Sequence, residues 1–216
     1  MPALETQPGD GLPATRPILA RMQRIEGWLD EDEAELLIRA AVAALTTLPA
    51  PHALLEVGSY CGRSTVVLGS VVKALEPHAR LYAIDPHQGK VGASDQGIYL
   101  TPPTLEKLER NLAGAGLTGV VTIIPKHSWE VEWDQPISLL FIDGLHDYAN
   151  VARDFHHFAP RLRPGAYVAF HDYGEDYPQV TTFVDELLRT GLVAQAGRTG
   201  SMMVVRTRDG RRPLRV

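Results

Sequence analysis

The side chains best suited to chemistry in this 216-residue chain stand where short apolar runs end: Glu56, Asp85, His127 with Ser128, Asp143, and His171 with Asp172. His146 follows three residues after Asp143. Asp143 and Asp172 offer hard carboxylate oxygens, which suit a divalent cation such as Mg²⁺. The imidazole of His171 is a softer ligand and would accept Mn²⁺, Zn²⁺ or iron as readily. An imidazole also titrates near neutrality, so His146 can serve either as a base toward a hydroxyl or as a ligand.

The run from Leu54 to Ser64, LLEVGSYCGRS, ends a strand pattern in an acid and spends two glycines on the turn. Gly58 and Gly62 would let backbone approach a ligand closely before a helix opens. The spacing is not the G-x-G-x-x-G of a dinucleotide fingerprint, so a pyrophosphate is not the expected guest. Glu56 and Asp85 would repel phosphates and suit a cation or hydroxyls. An acid after the second strand accepts a ribose diol in many nucleotide sites.

These residues need a scaffold that brings strand ends together. Continuous apolar runs such as LLFI and YVAF read as strands buried on both faces. Strands are expected over 53–57, 80–84, 120–124, 138–142 and 167–170. Helices are expected over 63–75, 104–113, 148–158 and 179–189. This alternation predicts right-handed βαβ crossovers and a parallel sheet, whose ligands bind outside the carboxyl ends of the strands. An earlier helix over 30–45 carries a capping box, Asp30 with Glu33. The C-terminal LVAQAGRTGSMMVVRTR reads as an antiparallel hairpin. The expected architecture is a doubly wound, Rossmann-like, mostly parallel seven-stranded α/β sheet ending in that hairpin. The N-terminal 20 residues, rich in Pro, Gly and Thr, read as a mobile arm preceding one domain over 21–216.

Several of these stretches together resemble the class I S-adenosylmethionine-dependent methyltransferases, from about Leu29 to Arg206. LLEVGSYCGRS is similar to the first motif of the catechol O-methyltransferase-like group, and YAIDP to the second. VTIIPKHSW is similar to the strand leading to the adenine site. The long run LFIDGLHDYANVARDFHHFAPRLRPGAYVAFHDY resembles macrocin-type sugar O-methyltransferases and cephalosporin-hydroxylase-like proteins. The resemblance implies S-adenosylmethionine as cofactor. Glu56, Gly58, Ser59, Tyr60, Gly62 and Ser64 would hold its methionine end, and Asp85 its ribose, with Pro86 and His87 alongside. His127, Ser128 and Trp129 would frame the adenine, with Asp143 nearby.

The same resemblance implies a divalent metal, Mg²⁺ or Mn²⁺, on Asp143, His171 and Asp172. The related pattern has Asp-Asn where this chain has His171-Asp172. His146 falls where the catechol enzymes carry a lysine base, which makes His146 and Asp143 the expected catalytic pair. O-methylation of a small hydroxylated metabolite, a sugar or phenol, is the leading expectation. The alternatives are a metal-independent O- or N-methyltransferase with His146 or His171 as base, and a hydroxylase-like enzyme on the same fold. The glycine-rich HQGKVGASDQGIYLTPPT and the segment DYGEDYPQ would close over the acceptor, with Tyr99, Tyr173 and Tyr177 packing its ring.

Composition excludes other classes. A net charge of -5 argues against a nucleic-acid surface, and no apolar stretch has the length of a membrane span. The lone Cys61 and an N-terminus without a basic region and apolar core point to a reducing cytoplasm. The first helix and the IEGWL before it would cover the cofactor or form a homodimer face.

Overall fold

Apolar runs flanked by glycine and proline leave the chain few choices but short strands joined by amphipathic helices, and the computed structural model has that pattern. It describes residues 4, 14–76 and 78–208. The elements in chain order are α1 (Thr15–Met22), α2 (Glu31–Thr47), β1 (Ala53–Val57), α3 (Arg63–Leu75) and β2 (Arg80–Ile84). There follow β3 (Lys90–Ala93), β4 (Gly97–Leu100), α4 (Leu105–Ala115), β5 (Val121–Ile124) and β6 (Ile137–Ile142). The chain continues through α5 (Tyr148–Phe158), β7 (Leu162–Phe170), α6 (Pro178–Arg189), β8 (Val193–Thr199) and β9 (Met202–Thr207).

The main sheet has seven strands in the order β5-β2-β1-β6-β7-β9-β8. The first five are parallel, and β9 and β8 close the edge as the expected antiparallel hairpin. Strand order reverses between β1 and β6, which makes their carboxyl ends the switch point where such sheets bind ligands. Alternate side chains serve two cores. Leu54, Ala83, Phe141 and Ala169 face α1 to α4, whereas Leu55, Ile84, Leu140 and Phe170 face α5 and α6. Each fully buried Leu or Phe contributes about 1.5–3 kcal/mol of apolar transfer, which is why these strands read as unbroken apolar runs.

Two expectations change. Residues 15–20, expected in the arm, are part of a packed helix. Thr15–Met22 is helical, and Ile18, Leu19 and Met22 are buried against α3, an apolar stripe hidden in the sequence by its proline- and glycine-rich flank. The remainder of the expected arm, residues 1–3 and 5–13, lies outside the described residues. The connection after β2 is also more ordered than a glycine-rich loop: β3 and β4 form a two-stranded antiparallel hairpin pairing Val91 with Tyr99 and Gly92 with Ile98. β-Branched and aromatic residues flanking a Ser-Asp-Gln-Gly turn supply the strand preference that the glycines obscured.

Candidate active site

The switch point opens into a cavity of about 890 Å³. β1 and β6 end in close contact there. Gly58 has φ +92°, and a Cβ on it would meet the Asp143 carbonyl oxygen at 1.9 Å, so only glycine lets the two strand ends approach this closely. Asp85, just past β2, accepts the Tyr60 N–H on Oδ2 at 2.9 Å and the His87 N–H on Oδ1 at 2.6 Å. Two backbone donors thus fix a carboxylate at the cavity wall.

Along the same edge, β6 ends in Asp143 and β7 in His171-Asp172, while His146 stands on the loop into α5. Its N–H donates to the Gly92 carbonyl of β3 at 3.0 Å. His146 Nε2 lies 3.0 Å from Asp172 Oδ2 and 3.9 Å from Asp143 Oδ1. One ligand atom from each of Asp143, His146 and Asp172 falls within 4.8 Å of the others, a spacing that fits a divalent cation. Two hard carboxylates and one imidazole form a donor set compatible with Mg²⁺ or Mn²⁺.

His171 departs from its expected role as a ligand. Its Nδ1 is 3.1 Å from Asp172 Oδ2 and 3.2 Å from Asp143 Oδ1, and its Nε2 is 3.1 Å from Glu33 Oε2. Both ring nitrogens of His171 thus face carboxylates, and the cation-sized cluster takes His146 in its place. Burial alone would depress its pKa, but the charge of Asp143 and the three carboxylate partners raise it well above an ordinary histidine. Burial raises the Asp143 carboxyl, while at Asp172 the His171 hydrogen bond and charge outweigh burial and hold the carboxyl low. Glu33 was legible only as a helix cap; nothing local signals its contact with His171, 138 positions away.

The residues expected at the cofactor divide into two groups. Gly58, Tyr60, Asp85, Pro86, His127, Ser128, Trp129 and Asp143 line the cavity. Glu56, Ser59, Gly62, Ser64 and His87 do not. Glu56 lies inside β1 rather than past its end, on the face shared with Leu54, and burial pushes its carboxyl up to about 8. It is fully buried and does not present a charge to the cavity. His87 turns its ring away to Thr104, with Nδ1 2.8 Å from Oγ1.

At the far end, Ser128 Oγ donates to Asp154 Oδ1 of α5, a cavity-lining acid that the sequence reading missed. Burial raises the Asp154 carboxyl to about 6. Trp129 lines the cavity, stacks on His127 at 4.3 Å and takes the Arg153 guanidinium 3.6 Å from its ring centre. Of the expected acceptor tyrosines, Tyr99 and Tyr177 line the cavity. Tyr173 is buried elsewhere, its hydroxyl donating to Asp185 at 2.8 Å.

A mostly parallel seven-stranded sheet with an antiparallel closing hairpin, and an acid after β2 facing the switch-point cavity, define the class I S-adenosylmethionine-dependent methyltransferase fold. The family described as "Methyltransferase domain" matches residues 55–173, more than half of the chain, and the chain belongs to that family. Among solved structures it is similar to the O-methyltransferase NovP, with a TM-score of 0.70 and 15% identity, covering 85% of this chain and 83% of that one. It is also similar to TomG from Streptomyces achromogenes, an O-methyltransferase of tomaymycin synthesis solved with S-adenosylmethionine (TM-score 0.58, 17% identity, 91% and 90% covered). A protein of Sinorhizobium fredii, y4gI, is 26% identical over 122 residues, which cover 56% of this chain. The chain spans 13% of that relative's length. Among the described residues no helix is long and apolar enough to cross a membrane.

Proposed function

We propose that this protein methylates a hydroxyl of a small molecule with S-adenosylmethionine, with a divalent cation on Asp143 and Asp172 and His146 as the base. The observation that carries this reading is the convergence of Asp143, His146 and Asp172 beside Asp85 in one cavity. S-Adenosylmethionine supplies a methyl group on a positive sulfonium. Asp143 and Asp172 would hold a divalent cation, which would supply Lewis acidity to lower the pKa of the acceptor hydroxyl.

The protein's own residues do the rest. Asp85 takes the ribose hydroxyls, and Ser128 and Asp154 meet the adenine end. His146 takes the acceptor proton as the oxygen attacks the methyl carbon and the carbon–sulfur bond breaks. Tyr99, Tyr177 and Trp28 line the outer cavity and support an acceptor carrying a ring, a phenol or a sugar. Oxygen as the methylated atom is supported by the O-methyltransferase relatives.

One observation favours a second role for His146. Its Nε2 already lies among the carboxylate oxygens, as a third ligand would. Replacing it separates the two: a base variant loses turnover and keeps Mn²⁺ affinity, whereas a ligand variant loses both.

The test is calorimetric titration of S-adenosylmethionine, with and without Mg²⁺ or Mn²⁺, followed by a screen of phenols and sugars read by mass. Cofactor binding, a gain of one methylene on an acceptor and loss of turnover with chelator are the expected results. Failure to bind S-adenosylmethionine under any of these conditions would sink the reading, and turnover that survives chelation would remove the cation from it.

A further inference from the structure

Glu33 satisfies more than a helix cap requires. It accepts the Asp30 N–H at 3.0 Å on Oε2, closing the capping box of α2. Its Oε1 also accepts the Ser201 N–H at 2.7 Å and the Ser201 hydroxyl at 2.8 Å, from the turn between β8 and β9. That turn is shaped around the carboxylate: at Gly200, with φ +52°, a Cβ would stand 2.7 Å from Glu33 Oε1. Capping-box glutamates ordinarily face water, whereas Glu33 is only 4% exposed. Its remaining contact is His171 Nε2 at 3.1 Å.

We infer that Glu33 is a positioning residue for the cation site, acting through His171. This inference rests on the cation proposed above. With Nε2 anchored on Glu33, the ring cannot turn without losing a buried partner. Its Nδ1 is thereby aimed between Asp172 Oδ2 and Asp143 Oδ1. Those same two oxygens lie 3.0 and 3.9 Å from His146 Nε2, so His171 holds the oxygens that face the third member of the cluster. A helix start and a hairpin turn, both remote in sequence from the strand ends, therefore set the direction of two carboxylates. Groups that orient ligands in this way change metal affinity when lost.

The experiment is a Mn²⁺ titration of the full chain, without cofactor or acceptor, reading free ion by its paramagnetic resonance. The proteins are wild type, D143N, E33Q, H171Q, the E33Q/H171Q double variant and S201A. Wild-type binding that disappears in D143N establishes the cation site, and absence of wild-type binding overturns that site and this inference together. Given binding, E33Q and H171Q should each weaken it by about 10- to 100-fold. The double variant should lose no more than the worse single one, since both break one linkage. S201A removes the hydroxyl donor to Glu33 but keeps the Ser201 N–H, so it should lower the melting temperature and weaken Mn²⁺ binding by less than E33Q does. Wild-type affinity in E33Q, or losses that multiply in the double variant, would overturn the role of Glu33 and leave the cation site standing. Should E33Q not fold, Glu33→Asp takes its place, its shorter carboxylate withdrawing from the ring under the same criterion.

Discussion

Glu56 of β1 accepts the hydroxyl of Ser64, in the first turn of α3, at 2.5 Å, and its second oxygen has no hydrogen-bond partner among the described residues. The acid that ends the opening motif is thus an interior link between strand and helix, set on the face opposite α5 and α6. Burial raises its pKa from 4.5 to about 8, against the lowering effect of the Ser64 hydroxyl.

That shift fixes a sign. Between pH 4.5 and about 8 the folded state keeps the Glu56 proton while the unfolded chain has released it. The unfolded state binds fewer protons, so stability falls as pH rises through this window. Glu56→Gln, a neutral isostere that can still accept from Ser64, should flatten the fall and be more stable than wild type near pH 8. Urea unfolding at several pH values checks it; parallel curves for the two proteins would show Glu56 to be ionised.

Glu33 works in the opposite direction. Burial would raise its carboxyl, but His171, Asp30 and Ser201 hold it at about 2, below its ordinary 4.5. Its stabilisation is complete above pH 4.5 and is lost as pH falls toward 2. Glu33→Gln should lower the melting temperature at pH 7 and remove part of the acid-induced loss seen in wild type. An unchanged acid limb in thermal melts would count against the linkage.

Asp85 is held by two backbone donors and faces the cavity. Hydrogen bonds to a charged group contribute about 1.5–3 kcal/mol, so Asp85→Ala should weaken S-adenosylmethionine binding by about 10- to 100-fold. Mn²⁺ affinity should stay as in wild type, because Asp85 is outside the Asp143–His146–Asp172 cluster. Calorimetry reads both, and a loss confined to Mn²⁺ would contradict the assignment.

Asp147 ties the roof to the floor. It caps α5 through the Asn150 N–H at 3.0 Å and takes both the N–H and the hydroxyl of Ser94 at the tip of the β3–β4 hairpin. Gln96 and Gln179 add bonds to the Asp176 carbonyl at 2.8 Å and to Asp95 at 2.5 Å. Asp147→Ala should cost about 0.5–2 kcal/mol of stability from the lost cap. Freed from the α5 loop, the hairpin should also raise KM for the acceptor more than KM for S-adenosylmethionine. Steady-state kinetics with each substrate varied in turn decides this, and equal KM values in variant and wild type would exclude the hairpin from acceptor binding.

The sequence by itself determined what local chemistry can encode. Unbroken apolar runs, Asp30 with Glu33 before an amphipathic stretch, and a glycine-bounded C-terminal turn each act over fewer than about ten residues, so the strands of the main sheet, the helices from α2 onward and the closing hairpin were readable. Strand-end placement also singled out Asp85, Asp143 and Asp172, because parallel sheets gather their carboxyl ends on one edge, while His146 was marked by the family resemblance. The direction of each side chain at that edge depended on partners far along the chain. The bounds of β1 were as expected, but the parity of the strand puts Glu56 on the face of Leu54, which the helices on that side cover, since alternate residues of a strand face opposite sides. His171 became a bridge rather than a ligand because Glu33, from a helix near the start of the chain, reaches its second nitrogen. Trp129 stacks on His127 and takes Arg153 over its ring, contacts its local sequence did not announce. Such contacts join residues with no local pattern in common, and only tertiary packing brings them within hydrogen-bonding or stacking distance.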